Sequence, residues 1–242
     1  MALQRVWAFR SKDKIEMKTH SKRYKESEKQ ISKEKTYQLK EAIAILKEMV
    51  QPKFDESVDL HFFLNVDTKK SDQMVRGTVV LPHGTGKKIR TAVFCKGEHE
   101  KLARDAQADY VGANDLIEKV AGGFLDFDCA IATPEMMKDL SKLGKVLGPR
   151  GLMPSPKTGT VTNDIVKAIE DVKKGKVEFR VDKQAGVHLS VGKISFSEDK
   201  LFDNASKVIE ALNEAKPATV KGKFLRSLSI ATTMNPGLRI TV

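Results

Sequence analysis

Apolar and polar positions along this chain follow two repeats. Val58, Leu60, Phe62, Leu64 and Val66 alternate with Asp59, His61, Phe63 and Asn65, the period of a strand with one buried face. Ahead of them Leu39, Ala42, Ile43, Leu46 and Met49 recur at helical spacing, which predicts an amphipathic helix from an N-cap at Thr36 to a stop at Pro52. A second apolar run over 75–81 predicts another strand. It ends at Pro82-His83-Gly84-Thr85-Gly86, residues suited to sharp turns and hinges.

Beyond that point short apolar runs alternate with helical stretches. Strands are expected over 89–95, 110–111 and 127–132, and helices over 98–108, 115–121 and 134–143, the last with Thr133 ahead of a proline at its first position. A loop rich in Gly and Pro follows over 147–160 and carries Arg150 and Lys157. A helix then runs to Lys174 and is closed by Gly175. Such alternation implies a parallel sheet covered on both faces, a small Rossmann-like α/β unit. The pattern then reverts to strands over 177–181 and 187–191, a helix over 198–215, and strands over 224–233 and 238–242.

The expected fold is therefore α+β with two domains. Residues 36–84 plus 176–242 form a discontinuous split α/β sandwich, and 85–175 form the inserted Rossmann-like domain. Two covalent connections join them, at Gly84, Thr85 and Gly86 and at Gly175, an arrangement that permits opening about one hinge axis while limiting twist.

Charge adds a third segment. The 242 residues include 43 Lys+Arg against 32 Asp+Glu, a net charge of +11, and residues 1–40 alone supply +7 of it. That excess favours a polyanionic partner, nucleic acid or an acidic membrane. Residues 1–35 read as a basic arm with too few large apolar groups to order without a partner. No run of about 18 apolar residues offers a spanning helix. The first ten residues lack the core and cleavage site of a secretory signal, and the cytosol is the simplest compartment. Cys95 and Cys129 are too few and too far apart for a disulfide scaffold or a structural zinc, and read as reduced, buried thiols.

Motifs for catalysis fail on spacing. Gly84-Thr85-Gly86-Lys87-Lys88 has Leu81 where a phosphate loop needs glycine and Lys88 where it needs a hydroxyl. The turn Cys95-Lys96-Gly97-Glu98-His99 offers one glycine where a dinucleotide fingerprint needs three. His20, His61, His83, His99 and His188 fall in separate elements with no metal-ligand spacing, and no nucleophile elbow occurs. No cofactor, metal or catalytic residue is expected. The rival reading is an RNA-modifying or nucleotide-using enzyme built on the inserted domain, since fold alone does not arbitrate.

Basic residues cluster in the arm, at Lys69-Lys70, over 87–90 and over 221–226. Aromatics make up only 6%, so recognition by phosphate, 2′-hydroxyl and shape suits this chain better than base stacking. The most unusual stretch is FLRSLSIATTMNPG over 224–237. There a strand of alternating hydroxyl and apolar residues ends at Thr232-Thr233-Met234-Asn235-Pro236. Hydroxyls and main-chain groups at a strand end can bond ribose and phosphate while Met234 excludes water; the alternative is a plain hydroxyl-rich turn.

Seven segments carry a resemblance. They are KRY at Lys22, PKFDESVDLHF at Pro52, SDQMVRGTVVLPHGTGK at Ser71, ADYVGA at Ala108, DFDCAIATPEMM at Asp126, LGKVLGPRGLMPSPKTGTV at Leu143 and KGKFLRSLSIATTMNPGLRI at Lys221. In these the sequence resembles the ribosomal protein L-one family in its bacterial form, proteins of the mobile lateral stalk of the large ribosomal subunit.

The resemblance implies a split domain that binds large-subunit ribosomal RNA and an inserted domain that swings. It implies principal RNA contacts from Lys53, Phe54, Ser227, Thr233, Met234 and Asn235, the last standing where glycine is usual. Weaker contacts are implied from Glu178, Arg180, Asp182, Lys183 and His188. It further implies movement with the exit-site transfer RNA and, as in many bacterial members, repression of translation by binding the chain's own messenger. Family members commonly begin just before KRY, so residues 1–16 are expected to be an extension or an upstream start ahead of Met17. With a side chain at position 235, the turn is expected to rely on asparagine's tolerance of left-handed backbone angles.

Overall fold

The structure is a computed structural model and describes residues 21–32, 35–220 and 222–241. Helix α1 (Lys22–Lys29) and α2 (Leu39–Glu48) precede strands β1 (Ser57–Leu64) and β2 (Arg76–Val80). Next come β3 (Thr91–Phe94), α3 (Glu98–Asp105), β4 (Tyr110–Gly112), α4 (Asn114–Ala121), β5 (Cys129–Ala132), α5 (Met137–Leu140), α6 (Gly144–Leu147) and α7 (Ile165–Lys174). The chain ends with β6 (Lys176–Arg180), β7 (Gly186–Lys193), α8 (Glu198–Glu214), β8 (Leu225–Thr232) and β9 (Leu238–Ile240).

The alternation in β1 has the consequence its period demands. Val58, Leu60, Phe62 and Leu64 are all buried, each contributing about 1.5–3 kcal/mol by leaving water. Antiparallel pairing to β7 on one side and β8 on the other makes β1 central in a sheet of order β7-β1-β8-β9. Helices α2 and α8 cover its apolar face. The opposite face, with His61, Phe63, His188, Ser227 and Ser229, stays open.

Strands β3, β4 and β5 form a parallel sheet of order β4-β3-β5. Alternation along β3 sends Ala92 and Phe94 into a cluster with Leu116, Val120, Leu140 and Leu147, and Val93 and Cys95 into one with Ala103, Ile169 and Val172. Helices thus lie on both faces, as the β/α alternation requires. These two clusters lie wholly within residues 92–172, while a third unites residues 37–81 with 179–240.

Between the two sheets, β2 and β6 pair as an antiparallel ribbon. Its backbone needs Gly77, because a Cβ there would lie 2.6 Å from the Phe179 ring packed across it. At the end of the ribbon the two chain crossings touch. Gly84 (φ +67) and Gly175 (φ +101) are both left-handed, and a Cβ on Gly175 would stand 2.5 Å from the Gly84 Cα. Fully buried Asn204 on α8 fastens the crossing: its Oδ1 accepts from His83 N at 3.1 Å, and its Nδ2 donates to Gly84 O at 3.0 Å and Val191 O at 2.8 Å.

Three local expectations are corrected. Thr36 does not cap α2; its N-cap is Gln38, because Tyr37 is drawn into a bridge with β9, donating to Arg239 O at 2.9 Å. The helix expected over 134–143 is broken into 3-10 turns (Pro134–Met136 and Ser141–Leu143) around α5 and α6. Met136, Leu140, Leu143 and Leu147 keep a buried face at helical spacing, a spacing that tighter turns satisfy too. The basic stretch read as an unordered arm contains α1. Ser21 caps it by accepting from Tyr24 N at 3.2 Å, and Ile31 beyond it packs on the core. Of the remaining arm, residues 1–20, with the expected start at Met17, lie outside the described residues.

Burial pushes the Cys95 and Cys129 thiols up to about 11, and neither is in a disulfide. At about pH 8 the thiolate fraction is then on the order of 0.1%. Iodoacetamide should therefore leave the native protein unmodified, as read by intact mass, and alkylate both residues after denaturation. Cys95 is fully buried, whereas Cys129, expected to be buried, is only half-buried; rapid native labelling of Cys95 would contradict its burial.

Candidate nucleic-acid interface

The end of β8 is built from inside outwards. Glu56, directly before β1, is fully buried, and its carboxylate accepts from Met234 N at 3.0 Å and from Asn235 Nδ2 at 3.2 Å. Arg23 on α1 closes the other side. Its guanidinium donates to Asn235 Oδ1 at 2.8 Å, to Met234 O at 2.9 Å and to Val50 O at 2.9 Å, and Ser27 Oγ donates to Asn235 Oδ1 at 3.4 Å. Thr233 Oγ1 accepts from Ser57 N at 3.1 Å and donates to Ser57 O at 3.4 Å. Buried polar groups that are satisfied in this way fix a single conformation.

The turn so braced displays apolar groups. Met234 and Phe54 are each 51% exposed, the most exposed large apolar side chains among the described residues. Lys53 beside Phe54 is exposed, as is Ser227 on the open face of the sheet. Lys53, Phe54, Thr233 and Met234 are thereby linked, since Glu56, two residues after Phe54, holds the Met234 backbone.

Asn235 behaves differently from the sequence expectation. It is only 7% exposed, and it is not among the described non-glycine residues with positive φ, which are Gln107 and Ala185. Its amide is turned inward, with the oxygen taken by Arg23 and the nitrogen by Glu56. Its side chain does not project outward; it joins α1 to the turn.

The weaker set divides in two. Glu178 and Arg180 lie on β6, and Glu178 is engaged by Arg76 at 2.7 Å. Asp182 and His188 instead line a shallow concavity of the open sheet face with His61, Phe63, Gln184, Ser227 and Ser229. Exposed Lys183 accepts from Thr68 Oγ1 at 3.0 Å through its main-chain carbonyl. Asp182 Oδ1 accepts from Gly186 N at 2.6 Å and Gln184 N at 2.8 Å, and its Oδ2 lies 3.7 Å from His188 Nε2. The Gly186 hydrogen bond first, then that of Gln184 and the His188 imidazole, hold the Asp182 carboxyl below the usual range.

Reading the sequence missed Glu56, Arg23, Ser27 and His61. Glu56 and Arg23 stand inside the segments PKFDESVDLHF and KRY, but nothing local signals that they meet Asn235 some 180 to 210 positions away.

A polar, braced turn thus displays apolar side chains beside basic residues, an arrangement suited to contact with a partner. Comparison with known proteins agrees. The sequence model of the Ribosomal protein L1p/L10e family matches residues 46–236. The chain is 52% identical over 225 residues to the large ribosomal subunit protein uL1 of Thermosipho melanesiensis, covering 93% of this chain and 97% of that one. It is 54% identical over 225 residues to the uL1 of Fervidobacterium nodosum (93% and 96% covered) and 53% identical over 224 residues to that of Solidesulfovibrio magneticus (93% and 95%).

The chain belongs to the Ribosomal protein L1p/L10e family. It is thus a structural, non-enzymatic ribosomal protein, and the enzyme alternative falls. Among the described residues no helix is long and apolar enough to cross a membrane.

Proposed function

We propose that this chain is a constituent of the large ribosomal subunit in the cytoplasm and binds large-subunit ribosomal RNA through the braced end of β8. The observation that carries this reading is the pairing of fully buried Glu56 with half-exposed Met234: a buried carboxylate spent on holding one turn rigid, and an apolar group held in water by it. Such a turn offers RNA a preorganised contact with little conformational entropy left to lose. Lys53, Phe54, Ser227 and Thr233 complete the principal surface, with Asn235 acting from behind. Asp182, Lys183 and His188 supply a second surface on the open face, and Glu178 and Arg180 a flank on the ribbon.

In the same reading the chain has two domains, 36–84 with 176–242 and a Rossmann-like 85–175. The glycine crossing at Gly84, Thr85, Gly86 and Gly175 is their hinge. The chain sits at the mobile lateral stalk, follows the exit-site transfer RNA, and represses translation by binding its own messenger. The resemblances of the segments quoted above support these finer points.

Substitution separates binding from bracing. Met234→Ala should weaken binding of a stalk fragment of ribosomal RNA by about 1–3 kcal/mol, the loss of an apolar contact, with little change in melting temperature, because that side chain is half exposed in the free protein. Thr233→Ala should lose affinity and also about 1 kcal/mol of stability, because its hydroxyl ties β8 to Ser57. Wild-type affinity should fall by about 0.7–0.9 log units per log unit of salt for each phosphate contact. Unchanged affinity in Met234→Ala, or binding indifferent to salt, would remove the reading.

A further inference from the structure

One arrangement on the open sheet face is not used by the turn. His61 on β1 stands directly opposite His188 on β7 and directly opposite Ser229 on β8. The two imidazoles meet Nδ1 to Nδ1 at 2.8 Å, with ring centroids 5.0 Å apart and planes at 61°. That centroid separation nearly equals the nitrogen contact plus the two ring radii, so the nitrogens aim at each other close to one line. Lone pairs in line share a proton; they do not converge on a point outside the pair, as chelation of a metal requires.

We propose that His61 is a further RNA contact: with His188 it forms a neutral pair in the free protein that shares one Nδ1 proton, and once each imidazole has taken up a proton of its own the pair opens and presents two imidazolium cations to RNA phosphates. The proposal rests on the RNA-binding reading above and gives the open face a chemistry of its own. A proton on each Nδ1 would set two donors head to head, so the doubly charged pair cannot keep its geometry. Separated imidazoliums need anions, and a phosphate backbone across the concavity beside Ser227 and Ser229 supplies them.

The surrounding charges set the direction. On β1, Asp59 favours a proton on His61; in the turn before β7, Asp182 faces His188 Nε2, and Lys183 is exposed beside it. From β8 the facing groups at this position are hydroxyls, while the Arg226 guanidinium lies over the neighbouring Phe63 ring, 5.3 Å from its centroid. Burial first, and then His188, push the His61 imidazole below its ordinary value, and Asp59 opposes them. The unfolded chain therefore binds this proton more readily than the native one. The stability of the free protein is unaffected well above pH 6.5 and declines as pH falls below it, whereas RNA affinity rises over the same interval.

The test is binding of a transcribed stalk fragment of large-subunit ribosomal RNA at about pH 8 and about pH 6, each over a potassium chloride series, with wild type, H61Q and H188Q. Wild type should bind about tenfold more tightly at the lower pH. Its slope of log affinity on log salt should steepen by about 0.7–0.9 for each phosphate gained. Both variants should lose the tightening and the steepening, with thermal melts confirming that they fold. Proton NMR of the free protein should show one far-downfield shared proton that is missing in H61Q.

A wild-type slope that does not change with pH, or one that changes equally in H61Q, would overturn the proposal. Failure of the underlying reading looks different: no salt-sensitive binding of the fragment at either pH, which overturns both.

Discussion

Gly175→Ala should lower the stability of the protein by about 3–5 kcal/mol, the sum of a left-handed backbone penalty and an overlap that neither neighbour can relieve. The added Cβ would stand 2.5 Å from the Gly84 Cα and 3.1 Å from the Thr85 nitrogen, all main chain. Gly123 supplies the comparison, for it has the same φ of +101 but nothing within 4 Å of its Cβ position. Gly123→Ala should cost only about 1 kcal/mol, the conformational part alone. Urea midpoints measured at one temperature read both. Equal losses at the two positions would show that backbone angle, not the contact between the crossings, sets the requirement for glycine.

Removing the Glu56 side chain should be the most damaging change at the interface. Glu56→Ala leaves Met234 N and Asn235 Nδ2 without an acceptor in a buried site, for about 3–5 kcal/mol over the two groups. Glu56→Gln keeps the shape but turns an NH2 group toward one of two donors, so it should cost about 1–3 kcal/mol rather than nothing. RNA affinity should fall with both, because the turn that displays Met234 loses its brace. A Gln variant as stable and as tight-binding as wild type would mean that packing, not the carboxylate, holds the turn.

Strands and long helices were legible in the sequence wherever burial is decided locally. The alternation over 58–64 marks its buried face residue by residue, and α8 and α7 lie within a few positions of the helical repeats that announce them. What escaped was decided by distant partners. The segment of α1 is polar enough to pass for a solvated arm, and its distant bonds to Asn235, Met234 and Val50 help to hold it where it stands.

Asn235 carries the same lesson at one residue. Its identity suggested a strained backbone, whereas its environment uses the side chain as a bridge between Arg23 and Glu56. Likewise His61 read as one of several scattered histidines, because the pairing with His188 exists only through the register of β1 on β7.

The position of β1 between β7 and β8 bears on the order in which the molecule is completed during synthesis. This strand emerges early, yet both of its neighbours are translated after residue 185. Residues 91–172, with their own parallel strands and covering helices, hold a set of mutual contacts that is finished first. Until the last quarter of the chain leaves the ribosome, Val58, Leu60, Phe62 and Leu64 have no adjoining strand to shield them, and a nascent chain in that condition is exposed to misassociation.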